Sequence, residues 1–217
     1  MQASEIYEQL TAIGIVPVIA IERVEHALPL ADALMDGGIP VVEITFRTAA
    51  AAEVLRLLCS ERPNLLVGAG TVLSRENAEA AFKVGARFGV APGINPKTLE
   101  LASKLSMPFV PGIATPSEIE LALTFGCRLL KFFPAELLGG VEMLKAFLGP
   151  YGHTGVRFIP TGGVSPANLE SYLSCKAVAA VGGTWLAKKE DLEEGRWDEI
   201  RTRCRAAVEI VRRVRSR

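Results

Sequence analysis

The sequence predicts an α/β protein built as a (β/α)8 TIM barrel, with a short leading helix and a single barrel domain over residues 1–217. Short apolar segments alternate with amphipathic ones, which is typical of strands between helices. Strand ends recur roughly every 20 to 25 residues, about the length of one βα unit. Gly-rich or Pro-rich turns follow the strands directly. A doubly wound open sheet is the alternative.

The leading helix is predicted over Ser4–Leu10, with Ser4 as a possible N-cap. The strands share runs of apolar residues, which indicates a parallel sheet covered by helices. In chain order the predicted strands are Ile15–Ile21, Pro40–Thr45, Leu65–Ala69, Arg87–Ala91, Pro108–Val110, Arg128–Phe132, Arg157–Pro160 and Val178–Val181.

The segments between the strands have the helical period of an amphipathic surface helix. Some begin with a proline just after a capping residue, as at Asn95-Pro96, Thr115-Pro116 and Ser165-Pro166. The predicted helices are Glu25–Asp36, Ala49–Cys59, Arg75–Val84, Pro96–Leu105, Pro116–Phe125, Val141–Leu148, Pro166–Leu173 and a last one near Trp197–Val214.

Composition and charge exclude several classes of protein. Lys plus Arg and Asp plus Glu are equal at 24 each, so no overall field favours nucleic acid or an anionic membrane. No apolar run approaches the roughly 18 residues that a membrane span requires. The first residues lack the basic end and apolar core of a signal peptide, so we expect a cytoplasmic protein.

Cysteine and histidine are too scattered to suggest a metal centre. No cysteine pair has the spacing of a zinc site, and neither histidine has a second ligand beside it. We therefore expect reduced cysteines, no metal and no Ser-His-Asp triad. The residues concerned are Cys59, Cys127, Cys175, Cys204, His26 and His153.

Lys131 is the lysine that lies inside an apolar strand, in the stretch Leu129-Leu130-Lys131-Phe132-Phe133. Period-two alternation puts Leu129, Lys131 and Phe133 on one face. Burial disfavours a charged ammonium, and a neutral amine is a nucleophile toward a carbonyl. The alternative is a strand-end lysine that reaches solvent.

The second strand carries a carboxylate among apolar residues, at Glu43, with Thr45 and Arg47 on the same face. A barrel could bring Glu43 and Lys131 together at its centre, where they would supply a nucleophilic amine and a proton-transfer group. A buried structural ion pair is the alternative.

Glycine pairs follow the seventh and eighth predicted strands, at Gly162-Gly163 and Gly182-Gly183. Glycines let backbone N–H groups approach an anion, and many barrels bind phosphate between these two loops. The alternative is a pair of tight turns.

Five blocks together resemble the 2-keto-3-deoxy-6-phosphogluconate (KDPG) aldolase family, and they span nearly the whole chain. They are Val42-Glu43-Ile44-Thr45-Phe46-Arg47-Thr48, Val67-Gly68-Ala69-Gly70-Thr71-Val72-Leu73, Lys131-Phe132-Phe133-Pro134-Ala135-Glu136, Pro160-Thr161-Gly162-Gly163 and Gly182-Gly183-Thr184-Trp185. The resemblance implies a cytoplasmic, homotrimeric, metal-independent and cofactor-free class I aldolase of the Entner–Doudoroff route. Such an enzyme splits KDPG into pyruvate and glyceraldehyde 3-phosphate. A second expected reaction is cleavage of 4-hydroxy-2-oxoglutarate to pyruvate and glyoxylate.

The resemblance also implies a role for each matched residue. Lys131 would form the Schiff base and Glu43 would transfer protons. The substrate-binding residues would be Arg47 and Thr71 for the pyruvyl carboxylate, Phe133 and Pro92 (with Gly93) for the pyruvyl pocket, and Gly162, Gly163, Gly183 and Thr184 for phosphate.

Two positions depart from the pattern of the family. Thr184 stands where some relatives have serine, and the first strand lacks the arginine that some members carry there. Three alternatives stay open: the galactonate epimer as substrate, a phosphosugar isomerase or epimerase, and a non-catalytic protein that binds a phosphorylated metabolite.

Overall fold

The computed structural model describes residues 3–216, in which parallel strands alternate with helices. The strands are β1 (Ile15–Ile19), β2 (Val41–Thr45), β3 (Leu66–Gly70), β4 (Phe88–Val90), β5 (Phe109–Val110), β6 (Gly112–Ile113), β7 (Leu129–Phe132), β8 (Arg157–Pro160) and β9 (Val181–Gly183). The helices are α1 (Ala3–Ile13), α2 (Ala27–Asp36), α3 (Ala51–Glu61), α4 (Arg75–Lys83), α5 (Pro96–Lys104), α6 (Pro116–Thr124), α7 (Gly140–Tyr151), α8 (Leu169–Leu173), α9 (Lys189–Glu193) and α10 (Trp197–Arg215). Met1, Gln2 and Arg217 of the predicted domain lie outside the described residues.

The strands close into a barrel. One sheet has the order β5-β4-β3-β2-β1-β9 and the other has the order β6-β7-β8. Only Pro111 separates β5 from β6, so these two form one barrel strand in two parts. Parallel bridges, Phe158 with Val178 and Thr161 with Gly182, join β8 to the segment of β9. The predicted (β/α)8 barrel is therefore confirmed, and the open sheet is excluded.

Burial explains why the strands are apolar in sequence. Every residue of β1 to β7 is buried, since one face of each strand points into the barrel and the other packs against helices. The helices bury one face each. In α10 the buried residues are Ile200, Cys204, Ala207 and Val211, which follow the three-and-four spacing of a single helical stripe.

Capping residues fix several helix starts as predicted. The Asn95 side chain accepts a hydrogen bond from the Lys97 N–H at 3.0 Å at the start of α5. Thr115 and Glu118 form a capping box at the start of α6. Ser4 does not cap α1, because this helix already includes Ala3.

The region after β8 differs from the prediction. The helix α8 begins at Leu169 and not at Pro166, because the Asn168 side chain accepts from the Ser165 N–H at 2.8 Å and donates to the Gly163 carbonyl at 3.0 Å. These bonds close a turn where a helix was predicted.

The last strand is also shifted, from the predicted Val178–Val181 to Val181–Gly183. Val178 is joined to β8 by a single bridge, whereas the glycine pair that was read as a loop pairs with Val16 and Pro17 of β1. The short helix α9 and the second half of the fifth strand, β6, were not predicted. Within residues 3–216, no helix is both long and apolar enough to cross a membrane.

Candidate active site

Lys131 of β7 and Glu43 of β2 meet inside the barrel. The Nζ atom donates a hydrogen bond to Glu43 Oε1 at 3.1 Å, and the two residues are 6% and 3% exposed. In the ring their strands lie opposite each other, with three barrel strands between them on either side. Lys131 is buried and paired with Glu43 and does not extend to the surface at a strand end, so the alternative of a strand-end lysine that reaches solvent is wrong. A buried ammonium and a buried carboxylate here satisfy each other.

Gly70 makes room for the Glu43 carboxylate. It pairs with Thr45 of the neighbouring strand β2. A Cβ atom at Gly70 would lie 2.3 Å from Glu43 Oε1 and 2.6 Å from its Cγ, closer than any such contact allows. Only glycine at position 70 leaves enough room for the Glu43 side chain.

A cleft of about 140 Å³ opens beside Lys131 at the carboxyl ends of the strands. Glu43 and Gly93 do not line this cleft. The other predicted site residues do: Arg47, Thr71, Pro92, Lys131, Phe133, Gly162, Gly163, Gly183 and Thr184. Larger grooves, up to about 530 Å³, lie elsewhere on the described surface, and neither Lys131 nor Glu43 lines them.

Arg47 and Thr71 form the cationic side of the cleft. The Arg47 Nε atom donates to Thr45 Oγ1 at 3.1 Å, and the same hydroxyl donates to the Ile19 carbonyl at 3.2 Å. This chain of bonds orients the guanidinium. Thr71 has a φ of +55°, which is unfavourable for a β-branched residue. A backbone conformation this unfavourable persists only where the surrounding structure imposes it, and such residues cluster at functional sites.

Phe133 and Pro92 form the apolar part of the cleft. The Phe133 ring centroid lies 5.9 Å from Lys131 Nζ. Gly162 allows this ring to pack closely, since a Cβ atom there would come within 3.3 Å of it. Pro92 lines the cleft, whereas Gly93, predicted with it, does not.

The loop after β8 places two adjacent glycines at the cleft. Gly162 and Gly163 have φ values of +95° and +85°. Among residues 3–216, their N–H groups donate to no protein acceptor. Two adjacent N–H groups in this state can bind an anion.

Glu136 ties the loop after β7 to the loop after β8. Its backbone N–H donates to the Gly162 carbonyl at 3.0 Å, and its side chain accepts a hydrogen bond from the buried Tyr172 hydroxyl. Burial and this hydrogen bond raise the pKa of Tyr172, so the phenol stays a donor near neutral pH. A Cβ atom at Gly163 would lie 2.4 Å from Glu136 Cγ.

The first strand contributes Val18 to the cleft, in keeping with its lack of an arginine. Gly182, a member of the predicted glycine pair, also lines the cleft, together with three residues that were not predicted as site residues: Thr45, Thr161 and Val164. Period-two alternation with Glu43 indicates Thr45, whereas Val18 and Val164 carry no signal that separates them from core residues. Within the described part of the chain, no group of His, Cys, Asp or Glu side chains could hold a metal ion.

Comparisons with known proteins agree with this geometry. The family model described as "KDPG and KHG aldolase" matches residues 6–203. The 2-dehydro-3-deoxy-phosphogluconate aldolase of Haemophilus influenzae is 44% identical over 208 residues, 96% of this chain and 97% of the relative. The KHG/KDPG aldolase of Escherichia coli is 44% identical over 200 residues, 92% of this chain and 93% of the relative.

A solved structure shares the fold. The KDPG aldolase of Legionella pneumophila, with pyruvate captured as a covalent carbinolamine intermediate, superposes with a TM-score of 0.89 at 40% identity. The match covers 93% of this chain and 97% of that one. Because the family model covers most of the chain and the relatives match it almost from end to end, the chain belongs to the KDPG and KHG aldolase family.

Proposed function

We propose that this chain is a class I, Schiff-base aldolase. It cleaves KDPG to pyruvate and glyceraldehyde 3-phosphate, and 4-hydroxy-2-oxoglutarate to pyruvate and glyoxylate. The buried pair of Lys131 and Glu43 beside the cleft carries this proposal, because it places a nucleophile and a proton-transfer group together. The carbinolamine in the Legionella relative is the intermediate that such an amine forms with a ketone.

The first half of the mechanism forms a protonated imine, which can accept an electron pair from the bond that breaks. The neutral Lys131 amine attacks the C2 ketone to give a carbinolamine, and loss of water gives a protonated imine. Glu43 lies 3.1 Å from the same nitrogen, so it can take the proton that the ammonium must lose. It then gives this proton to the carbinolamine hydroxyl, which leaves as water, and Glu43 is a carboxylate again before the next step.

In the second half, the C4 hydroxyl loses its proton and the C3–C4 bond breaks, with its electron pair moving toward the iminium. Glyceraldehyde 3-phosphate leaves, and an enamine remains on Lys131. Glu43 accepts the hydroxyl proton through a water molecule and returns a proton to C3. Hydrolysis of the resulting imine releases pyruvate and restores the amine.

The other site residues bind the two ends of the substrate. Arg47 and Thr71 hold the pyruvyl carboxylate, which suits a guanidinium already oriented by Thr45. Phe133 and Pro92 pack against the pyruvyl group. The phosphate lies against Gly162, Gly163, Gly183 and Thr184, where free N–H groups and a threonine hydroxyl line the cleft.

We propose a homotrimer in the cytoplasm, as the resemblance to the family implies. Light scattering after size-exclusion chromatography tests the assembly. A mass near three times 23.3 kDa supports the trimer, and a mass near 23.3 kDa contradicts it.

Trapping with pyruvate and borohydride tests the reaction. Reduction of the imine should add one pyruvyl group, and peptide mapping should find it on Lys131. Lys145 is a useful internal control, because it also pairs with a glutamate, Glu142 at 2.7 Å, but lies exposed. Label on Lys145, or none on Lys131 in active enzyme, contradicts the proposal.

A charge at Thr184 tests the phosphate site. Gly183 cannot be used, since a Cβ atom there would meet the Trp185 ring at 1.6 Å. Thr184 is exposed, and Asp and Asn differ there in charge and hardly in size. Thr184→Asp should lower kcat/KM for KDPG much more than Thr184→Asn, and both should spare exchange of the pyruvate methyl protons. Equal loss of kcat/KM in the two variants would mean that the phosphate does not bind beside Thr184.

A further inference from the structure

An ion pair between a buried carboxylate and a partly exposed guanidinium lies behind the loop that follows β9. Asp191 of α9 is 2% exposed, and its Oδ2 accepts from the Arg203 guanidinium of α10 at 2.6 Å and from the Lys188 N–H at 2.8 Å. Arg196 approaches the other carboxylate oxygen at 3.8 Å from a more exposed position. A carboxylate with two donors at this depth holds its partner guanidinium in one orientation.

The same guanidinium also holds the cleft loop. Arg203 Nη1 donates to the backbone carbonyls of Trp185 and Leu186, at 3.1 Å each. These two residues come directly after Thr184 in the chain. Arg203 therefore connects a buried carboxylate to the backbone that ends the proposed phosphate loop.

Trp185 extends this connection to Gly183. The indole ring lies so close that a Cβ atom at Gly183 would be 1.6 Å from Cζ3 and 2.0 Å from Cε3. Movement of the Trp185 backbone would thus move the ring against Gly183. The chain of contacts runs from Asp191 through Arg203 and Trp185 to the cleft.

Stability alone gives a weak reason for this arrangement. Well-packed apolar side chains often replace a buried ion pair without loss of stability. An apolar side chain at position 203 would leave the two carbonyls without their donor. All three contacts come from the same Nη1 atom, so one guanidinium nitrogen joins the carboxylate to the two backbone carbonyls.

We propose that Arg203, fixed by Asp191, is a positioning residue for the phosphorylated end of the substrate. It holds the backbone of Trp185 and Leu186 so that Gly183 and Thr184 present a preformed surface to the phosphate. This inference rests on the proposed function. It assigns to Arg203 and Asp191 a role in choosing phosphorylated over unphosphorylated 2-keto acids.

The test compares two substrates in the same variants. Arg203→Lys keeps the charge but replaces the guanidinium nitrogen that makes the three contacts, and Arg203→Gln loses the charge. Each should lower kcat/KM for KDPG by about 10- to 100-fold, the usual effect of a small misplacement. The value for 4-hydroxy-2-oxoglutarate, which has no phosphate, should stay within about threefold of wild type. Inorganic phosphate should also inhibit the variants more weakly than wild type.

Arg213→Gln is the matched control. Arg213 lies on the same helix and pairs with Glu170 at 2.6 Å, but that pair is exposed. It should leave both substrates unchanged. If Arg203→Gln does not fold, Arg203→Lys and Asp191→Asn give the same comparison.

Two outcomes overturn the inference. Equal loss on both substrates would make the pair a structural support of the whole barrel, and no loss on either would show that the loop holds its shape unaided. A wild-type enzyme that neither cleaves KDPG nor traps pyruvate would instead overturn the proposed function. These failures are distinguishable because the wild-type assay comes first.

Discussion

Lys131 and Glu43 stabilise each other inside the barrel, where they are 6% and 3% exposed. Replacing a buried ion pair by apolar residues of similar volume is often neutral, or stabilises a protein by about 1–4 kcal/mol. Stability alone therefore gives little reason for both residues. Their position beside a cleft at the carboxyl ends of the strands gives a chemical reason.

Glu43→Gln should lower kcat for KDPG cleavage by about 10²–10⁴-fold, the usual contribution of a general acid–base group. Substrate binding should suffer less, because Glu43 does not line the cleft. Steady-state kinetics measure both effects, with Glu142→Gln as the control because Glu142 also pairs with a lysine but is exposed. A Glu43→Gln variant within about threefold of wild type would make Glu43 structural.

Gly70→Ala should also reduce kcat, because the added methyl group occupies the space of the Glu43 carboxylate. The side chain or its strand must move, and small displacements at a reacting centre can cost about 10²-fold in rate. Gly149→Ala is the control: a Cβ atom there meets nothing within 4 Å. Unchanged kcat in Gly70→Ala would mean that the exact place of the carboxylate is unimportant.

At the scale of single elements, α6 shows how local sequence fixes a boundary. Thr115 Oγ1 accepts from the Glu118 N–H at 3.4 Å, and Glu118 Oε2 accepts from the Ala114 and Thr115 N–H groups at 2.7 and 2.9 Å. Pro116 fills the first helical position, where no N–H is needed. Because α6 follows β6, this cap also limits how far the barrel strand formed by β5 and β6 extends.

Thr115→Ala should lower the free energy of unfolding by about 1 kcal/mol, the typical value for loss of an N-cap. Thr124→Ala is the matched control, since Thr124 ends the same helix and is exposed. It should change the free energy of unfolding by less than about 0.5 kcal/mol. Urea denaturation measures both variants, and equal effects would show that the cap contributes nothing of its own.

The sequence predicted most elements, because strand burial and helix periodicity are local properties. It placed β8 correctly from Arg157 to Pro160. It misplaced β9, because glycines read as a turn unless their pairing with β1 is known. It missed the start of α8, because the Asn168 side chain competes with a helical turn in a way that composition does not reveal.

The residues of the candidate site were predicted in different ways, and some were not predicted. The sequence marked Lys131 and Glu43, because a charge in an apolar strand is conspicuous. Resemblance to the family supplied Arg47, Thr71 and Pro92. Neither approach indicated Arg203, since an arginine in an amphipathic helix looks like an exposed one. Its contact with the buried Asp191 depends on how α9 and α10 pack.

On the scale of the whole molecule, Asp191 couples stability to pH. Arg203 lowers the pKa of Asp191 below its ordinary value of 3.8. A lowered pKa in the folded state contributes stability above the pKa of the unfolded chain, and this stability is lost as the pH falls through the folded value. The loss should therefore lie below about pH 4.

Asp191→Asn should flatten the dependence of the free energy of unfolding on pH in that acidic range. Urea denaturation from neutral pH to about pH 2.5 measures it. Asp32→Asn is a useful comparison, because Arg62 lowers the pKa of Asp32 too, but this side chain is half exposed and solvent screens the pair. A pH profile of Asp191→Asn parallel to that of wild type would contradict the assignment.

Because β2 and β7 lie on opposite sides of the barrel, the return of activity during refolding depends on closure of the ring. Glu43 and Lys131 are 88 residues apart in the chain, so their contact is among the non-local ones that a folding chain closes slowly. A partly folded intermediate with only β1 to β5 in place would hold Glu43 without its partner. Catalytic competence should therefore return during refolding with the slowest step that closes the ring, after most helical structure has formed. For this chain, the return of activity during refolding therefore reports when the barrel has closed.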